Sequence, residues 1–101
     1  MIKRDRRPAP PGKILKLYYL EPRNLSVSRF AQAAGLSRKH VSNIVNDKAP
    51  VTSETAVRIA AVLDTTAQFW LNLQNAVDIF DAEQRLKRWR PHEVHGARAA
   101  E

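Results

Sequence analysis

Ser37-Arg38-Lys39-His40 opens the segment SRKHVSNIVN, residues 37–46, and sets two definite cations in what the pattern predicts to be the first turn of a helix. A helix N-terminus carries partial positive charge, so cations there are disfavoured by a few tenths of a kcal/mol up to about 1 kcal/mol. The placement makes chemical sense if an anion or a row of hydrogen-bond acceptors faces that end. Arg and Lys donate to guanine O6 and N7, and an Asn such as Asn43 has the paired donor and acceptor that match adenine N6 and N7. The unbonded N–H groups of a first helical turn also hold phosphate. At 100° per residue, Lys39, Ser42, Asn43 and Asn46 share one face and Val41, Ile44 and Val45 the opposite one, with Arg38 at the exposed N-terminal edge and His40 at the boundary. The plain alternative is an ordinary solvated face on a helical hairpin.

Other reactive combinations are weak. His92 and His95 follow Pro91 at a spacing of i, i+3, whereas a helical zinc pair needs i, i+4. There is no cysteine and there are only three glycines, which excludes disulfides, thiol chemistry and a glycine-rich phosphate loop. No nucleophile elbow or acid pair accompanies the Ser, His and Asp residues. The expectation is therefore a protein without catalytic residues, bound metal or cofactor.

The elements that must position the segment follow from punctuation and periodicity. Residues 1–10, MIKRDRRPAP, read as a flexible basic arm whose Lys3, Arg4, Arg6 and Arg7 are aimed by nothing rigid and are expected to contact phosphate rather than bases; a merely solubilising tail is the alternative. A first helix is predicted from about Gly12 to Leu20, started by Pro11 and stopped by Pro22, because the residue before proline leaves the α region. A second starts with Ser26 as N-cap, buries Val27, Phe30, Ala31 and Ala34, and ends at Gly35. The third runs from Ser37 as cap to about Val45. A fourth spans about Ser53–Leu63, capped by Thr52, with Ala56, Val57, Ile59, Ala60 and Leu63 inward and Glu54 and Arg58 outward. A fifth follows Thr65, which forms a capping-box pattern with Gln68, and runs from about Thr66 to Arg88. Residues 91–101 read as a disordered tail, and no run alternates with the period of a strand. With 101 residues the chain makes one domain, residues 11–90, between arm and tail.

Charge is distributed unevenly over this frame. The net charge is +7, and residues 1–48 hold 11 Lys/Arg against 3 Asp/Glu, whereas residues 51–81 hold one Arg against four acids. Such a balance favours a polyanionic partner, with phosphate backbones the commonest and an anionic membrane surface the alternative. No stretch approaches 18 consecutive apolar residues, so no membrane span is expected; a cysteine-free domain fits a reducing cytoplasm, and a DNA partner would make that location nucleoid-associated.

The second and third helices, joined by Gly35-Leu36-Ser37, have helix-turn-helix spacing: small Ala31 inside the first, glycine in the turn, and Val41 and Ile44 holding the second against it. In that motif the second helix enters the major groove, which gives the cations of the opening segment a use. Pro11-Gly12, Leu20-Glu21-Pro22, Leu25-Ser26, Ala31, Gly35-Leu36-Ser37-Arg38, Ile44-Val45-Asn46, Thr52, Thr55-Ala56, Ala60 and above all Phe69-Trp70-Leu71-Asn72-Leu73-Gln74 resemble a HigA-type antitoxin of type II toxin–antitoxin systems, a branch of the Xre/Cro-like helix-turn-helix family. The resemblance covers about residues 10–80. It implies an all-α, five-helix Cro/lambda-repressor-like domain that binds a palindromic double-stranded operator as a homodimer, represses its own operon and neutralises a cognate RelE-like mRNA endonuclease toxin. By position it implies base contacts from Arg38, Lys39, Ser42 and Asn43, and phosphate contacts from the helix caps Ser26 and Ser37. Two departures stand out: Asn46-Asp47-Lys48 replaces the usual Asn-Gly turn, and Lys13 occupies a position that is often acidic. A stand-alone repressor and a protein-only binding module are the alternatives.

The fifth helix is too apolar for one exposed face. Phe69, Trp70, Leu71, Leu73, Ala76, Val77, Ile79, Phe80 and Ala82 cover more than one stripe, leaving Asp78, Asp81 and Glu83 for the remainder. A symmetric dimer would cover the surplus, and Trp70, Leu73, Val77 and Phe80 are the predicted interface. Trp89 is expected to pack back on the domain.

Overall fold

A computed structural model describes residues 6–96. The architecture is all-α. Helix α1 begins at Pro11–Ile14, continues through a π-helical segment, Leu15–Leu20, and ends in a 3-10 turn, Glu21–Arg23; α2 is Val27–Ala34, α3 Arg38–Val45, α4 Ser53–Leu63 and α5 Ala67–Arg85. Among the described residues there is no strand, and no helix is long and apolar enough to cross a membrane.

Local chemistry explains most boundaries. Ser26, Ser37 and Thr52 each accept the backbone N–H three residues on, from Arg29, His40 and Thr55, so each satisfies one donor that a helix start leaves unbonded. Gly35 closes α2 at φ 70°, and the Leu36 N–H returns to the Ala31 carbonyl at 2.9 Å.

Two boundaries correct the sequence reading. Pro22 does not stop the first helix at Leu20: Glu21, the residue before it, stays helical at φ −62°, ψ −47°. The chain accommodates the proline by changing register. The Glu21 N–H bonds the Lys16 carbonyl five residues back, and Arg23 donates from Nη1 to the Tyr19 carbonyl at 3.1 Å. Asn24 then ends the segment at φ 52°. At the other boundary, Thr65 and Gln68 do not form a capping box. Thr66 is the cap of α5, accepting from the Phe69 N–H at 3.1 Å, while Gln68 bonds Asn72. Thr65 is engaged instead by the indole N–H of Trp70 at 2.8 Å.

The core joins Leu15 and Leu20 of α1, Phe30, Ala31 and Ala34 of α2, Val41 and Ile44 of α3, Val51, Ala56, Ile59 and Ala60 around α4, and Trp70 of α5. Burying a side chain of the Leu or Phe kind contributes about 1.5–3 kcal/mol. Phe69 meets Tyr19 and Trp70 edge-on and Tyr19 is tilted against Trp70, with centroids 5.0–6.5 Å apart, which fastens the start of α5 to α1. Val57, expected inward, is 59% exposed. The inward face of α4 is carried by Thr55, Ala56, Ile59 and Ala60, and Val57 falls about 60° beyond the edge of that face.

Candidate nucleic-acid interface

α3 is held from three sides. α2 meets it through the Gly35 turn, where Arg58 of α4 donates from Nη1 to the Ala34 and Gly35 carbonyls at 3.0 and 3.4 Å. α1 crosses it at Gly12, which is buried; a Cβ there would overlap the Ile44 carbonyl and lie 2.9 Å from the Val45 Cα. Only glycine lets the two backbones approach this closely. At its far end α3 runs into a tight turn in which Asp47 adopts φ 58°, and the Lys48 and Ala49 N–H groups donate to the Asn43 carbonyl at 2.7 and 3.2 Å. Asp47 thus takes the left-handed geometry that glycine would take in the usual Asn-Gly turn.

With Val41 and Ile44 buried, the opposite face of α3 is turned outward. Arg38 and Lys39 are exposed; Ser42 and Asn43 are half-buried. Among the described residues, no hydrogen bond engages the side chains of Arg38, Lys39 or Asn43, whereas Asn46 donates to the Ser42 carbonyl and hydroxyl at 2.9 and 3.5 Å. Ser26 and Ser37 are exposed, and each hydroxyl uses an acceptor lone pair for its cap, which leaves its proton to donate outward. The four base-facing candidates therefore share one surface, with the Ser37 cap at its N-terminal edge.

In the basic arm, Arg7 departs from expectation. Lys3 and Arg4 lie outside the described residues, and Arg6 is exposed. Arg7 is not a free cation: its Nη1 donates to Asp47 at 2.7 Å, and its Nε and Nη2 donate to the two carboxylate oxygens of Asp81 at 2.9 and 3.0 Å. The guanidinium holds the Asp81 carboxyl below its ordinary range and is itself held more firmly protonated.

The predicted interface on α5 also needs correction. Trp70 and Val77 are 0% and 2% exposed within the single chain. Trp70, Gln74 and Val77 make up the inward stripe, at i, i+4 and i+7, so Trp70 and Val77 have no surface to offer a second copy. Leu73 and Phe80 flank that stripe and are half-buried. Trp89 does not pack back: it lies beyond the end of α5 and is 59% exposed, while Ile79 on the outer side of α5 and Leu86 just past its end are 57% and 54% exposed. Residues 91–96 are exposed and without helix or strand, and 97–101 lie outside the described residues.

Sequence reasoning missed several positioning residues. Arg58 is the single basic residue of an acidic stretch, the one signal that it has a specific partner. Gln74 gave none beyond its place in the Phe69–Gln74 segment; its Oε1 accepts the Val51 N–H at 2.8 Å and its Nε2 donates to Asp78 at 2.9 Å.

Comparison with known proteins agrees with the helix-turn-helix fold. The helix-turn-helix family model matches residues 15–70. The chain is 41% identical over 87 residues to YbaQ of Escherichia coli K12, named as an uncharacterized HTH-type transcriptional regulator, covering 86% of this chain and 77% of the relative. It is 41% identical over 85 residues to antitoxin HigA-1 of Vibrio cholerae, covering 84% and 80% of the two chains. The solved structure of the Pseudomonas aeruginosa antitoxin HigA with the higBA promoter superposes with a TM-score of 0.81 at 31% identity, covering 88% of this chain and 97% of the other.

Proposed function

The chain belongs to the helix-turn-helix family, and from that premise we propose that it is an antitoxin and autorepressor, binding the operator of its own operon as a homodimer and neutralising a RelE-like mRNA endonuclease encoded beside it. The family is one of DNA-binding regulators, not of enzymes. The observation that carries the reading is the outward face of α3. Arg38, Lys39, Ser42 and Asn43 supply major-groove donors and acceptors on a helix clamped by α1, α2 and the turn at Asp47. Phosphate contacts come from the hydroxyls of Ser26 and Ser37 and from the arm cations Lys3, Arg4 and Arg6. The antitoxin half rests on the likeness to HigA-1 and to the HigA structure that holds promoter DNA.

Two half-sites about 34–36 Å apart need two copies of α3, and α5 is the element with apolar surface left over. Phe69, Leu73, Ala76 and Phe80 recur at i, i+4, i+7 and i+11 along one flank of it, and Phe69 is 37% exposed. That flank is the proposed two-fold contact.

The test has two arms. Filter binding on the protein's own promoter and on a random duplex measures the DNA half; equal affinity for both overturns it. Co-expression with the adjacent gene product, followed by co-purification and an mRNA-cleavage assay, measures the antitoxin half. Operator binding without a co-purifying nuclease leaves a stand-alone repressor, a reading that the name of YbaQ, a transcriptional regulator, also fits.

A further inference from the structure

Arg7 precedes α1, yet its guanidinium reaches two distant elements at once. It grips Asp81 of α5 with a two-pronged fork and Asp47 with the remaining nitrogen. Asp47 is the left-handed residue of the turn that leaves α3, and the next two N–H groups fold back on the Asn43 carbonyl. Further on, the Val51 N–H is held by Gln74 of α5. Residues 47–51 are therefore fastened to α5 at both ends, by Arg7 at the start and by Gln74 at the finish. Isolated surface ion pairs do little, but a forked arginine shared by two carboxylates is a network with fixed geometry. Its side chains are 36–43% exposed, so water does not surround them fully.

We propose that Arg7, Asp47 and Asp81 form a clasp that fixes the attitude of α3 on α5, making Arg7 a positioning residue for base reading and not a phosphate contact. This rests on the operator-binding reading above. Two recognition helices joined through α5 can meet two half-sites in register only if each is rigid relative to its α5, and the clasp supplies that rigidity at the Asn43 end. Asp47 is a partly exposed carboxylate four residues beyond Asn43 of the candidate DNA surface, where without a structural role it would only repel phosphate.

That repulsion gives the test its sign. Removing an acid near DNA strengthens binding to any duplex if charge alone matters. In the full-length chain, Asp81→Asn and Asp47→Asn (Asn also tolerates left-handed φ) are expected to lower the ratio of operator to random-duplex affinity about three- to tenfold. Arg7→Gln lowers it similarly with no change in salt slope, and Arg7→Gln with Asp81→Asn together does no more than Arg7→Gln alone. Amide hydrogen exchange without DNA provides a second readout: Arg7→Gln and Asp81→Asn should each speed exchange at Lys48 and Ala49. The proposal is overturned if the Asp variants keep or raise operator preference, if Arg7→Gln weakens both duplexes equally with a slope reduced by about one, or if Lys48 and Ala49 exchange is unmoved. A wild-type chain with no operator preference would sink the operator reading instead, and the exchange measurement would still decide the clasp.

Discussion

Arg38 is exposed at the start of α3, whereas Arg7 is gripped by two carboxylates, and the difference decides what each can do to a nucleic acid. Composition counts them alike. A cation reads bases only when a rigid element aims it and no carboxylate has already taken its donors. On the proposed interface Arg38→Ala and Asn43→Ala should each cost about 1–3 kcal/mol per half-site on the operator and much less on random duplex; affinities on both DNAs across a salt series check this, and equal losses on the two would refute the base-reading role. Arg7 and Asp81 also make a pH prediction. The folded state lowers the Asp81 pKa, so its contribution to stability is present at neutral pH and is lost as pH falls below about 4, toward the depressed folded value. Urea midpoints between pH 7 and pH 2.5 should fall less steeply in that acid window for Asp81→Asn than for the wild type. Arg7 stays charged throughout and adds no slope of its own.

Among the elements, the caps show how finely local chemistry discriminates. Thr65 and Thr66 are adjacent and chemically identical, yet Thr66 caps α5 and Thr65 accepts the indole of Trp70. Thr66→Ala should destabilise the fold by about 1 kcal/mol in chemical denaturation. Gln68→Ala should stay within about 0.5 kcal/mol, as a surface change does; the reverse order would restore the capping box. The crossing of α1 on α3 is more demanding. Gly12→Ala puts a methyl group into the Ile44 carbonyl, which is backbone and cannot swing aside. Overpacking of this kind costs about 1–3 kcal/mol, and because it displaces α3 itself, operator affinity should fall along with the thermal midpoint. A Gly12→Ala chain with wild-type stability and DNA binding would show that the close approach has no role.

For the whole molecule, the proposed dimer turns on which side of α5 is left to face another copy. The stripe of Trp70, Gln74 and Val77 is occupied by the domain's own core. Val77→Asp should therefore unfold the chain, since it buries a charge, and not merely separate subunits. Phe80→Asp, on the half-buried flank, should leave helical content intact while weakening dimers and operator binding together. Sedimentation equilibrium with circular dichroism distinguishes these outcomes. Wild-type chains monomeric at micromolar concentration, or Phe80→Asp chains that dimerise normally, would refute the α5 dimer.

Sequence order alone determined the helix starts at Ser26, Ser37 and Thr52, the stop at Gly35, and the amphipathic split of α3 between Val41/Ile44 and Lys39/Asn43. These depend on contacts within about four residues, where a side chain meets its own backbone and periodicity fixes which face is which. The same reading could see that α5 was too apolar for one stripe, but not which stripe the domain would take, because several faces of the helix qualified. It placed Arg7 in a loose arm and gave Glu21 no route past Pro22. Only the tertiary structure decided that Arg7 meets Asp47 and Asp81, 40 and 74 residues away, that Gly12 sits against the Ile44 backbone, and that Arg58 holds the end of α2. Each of these is a pairing between helices whose mutual placement follows from packing the core, and no local pattern encodes which distant partner that packing will bring within hydrogen-bond reach.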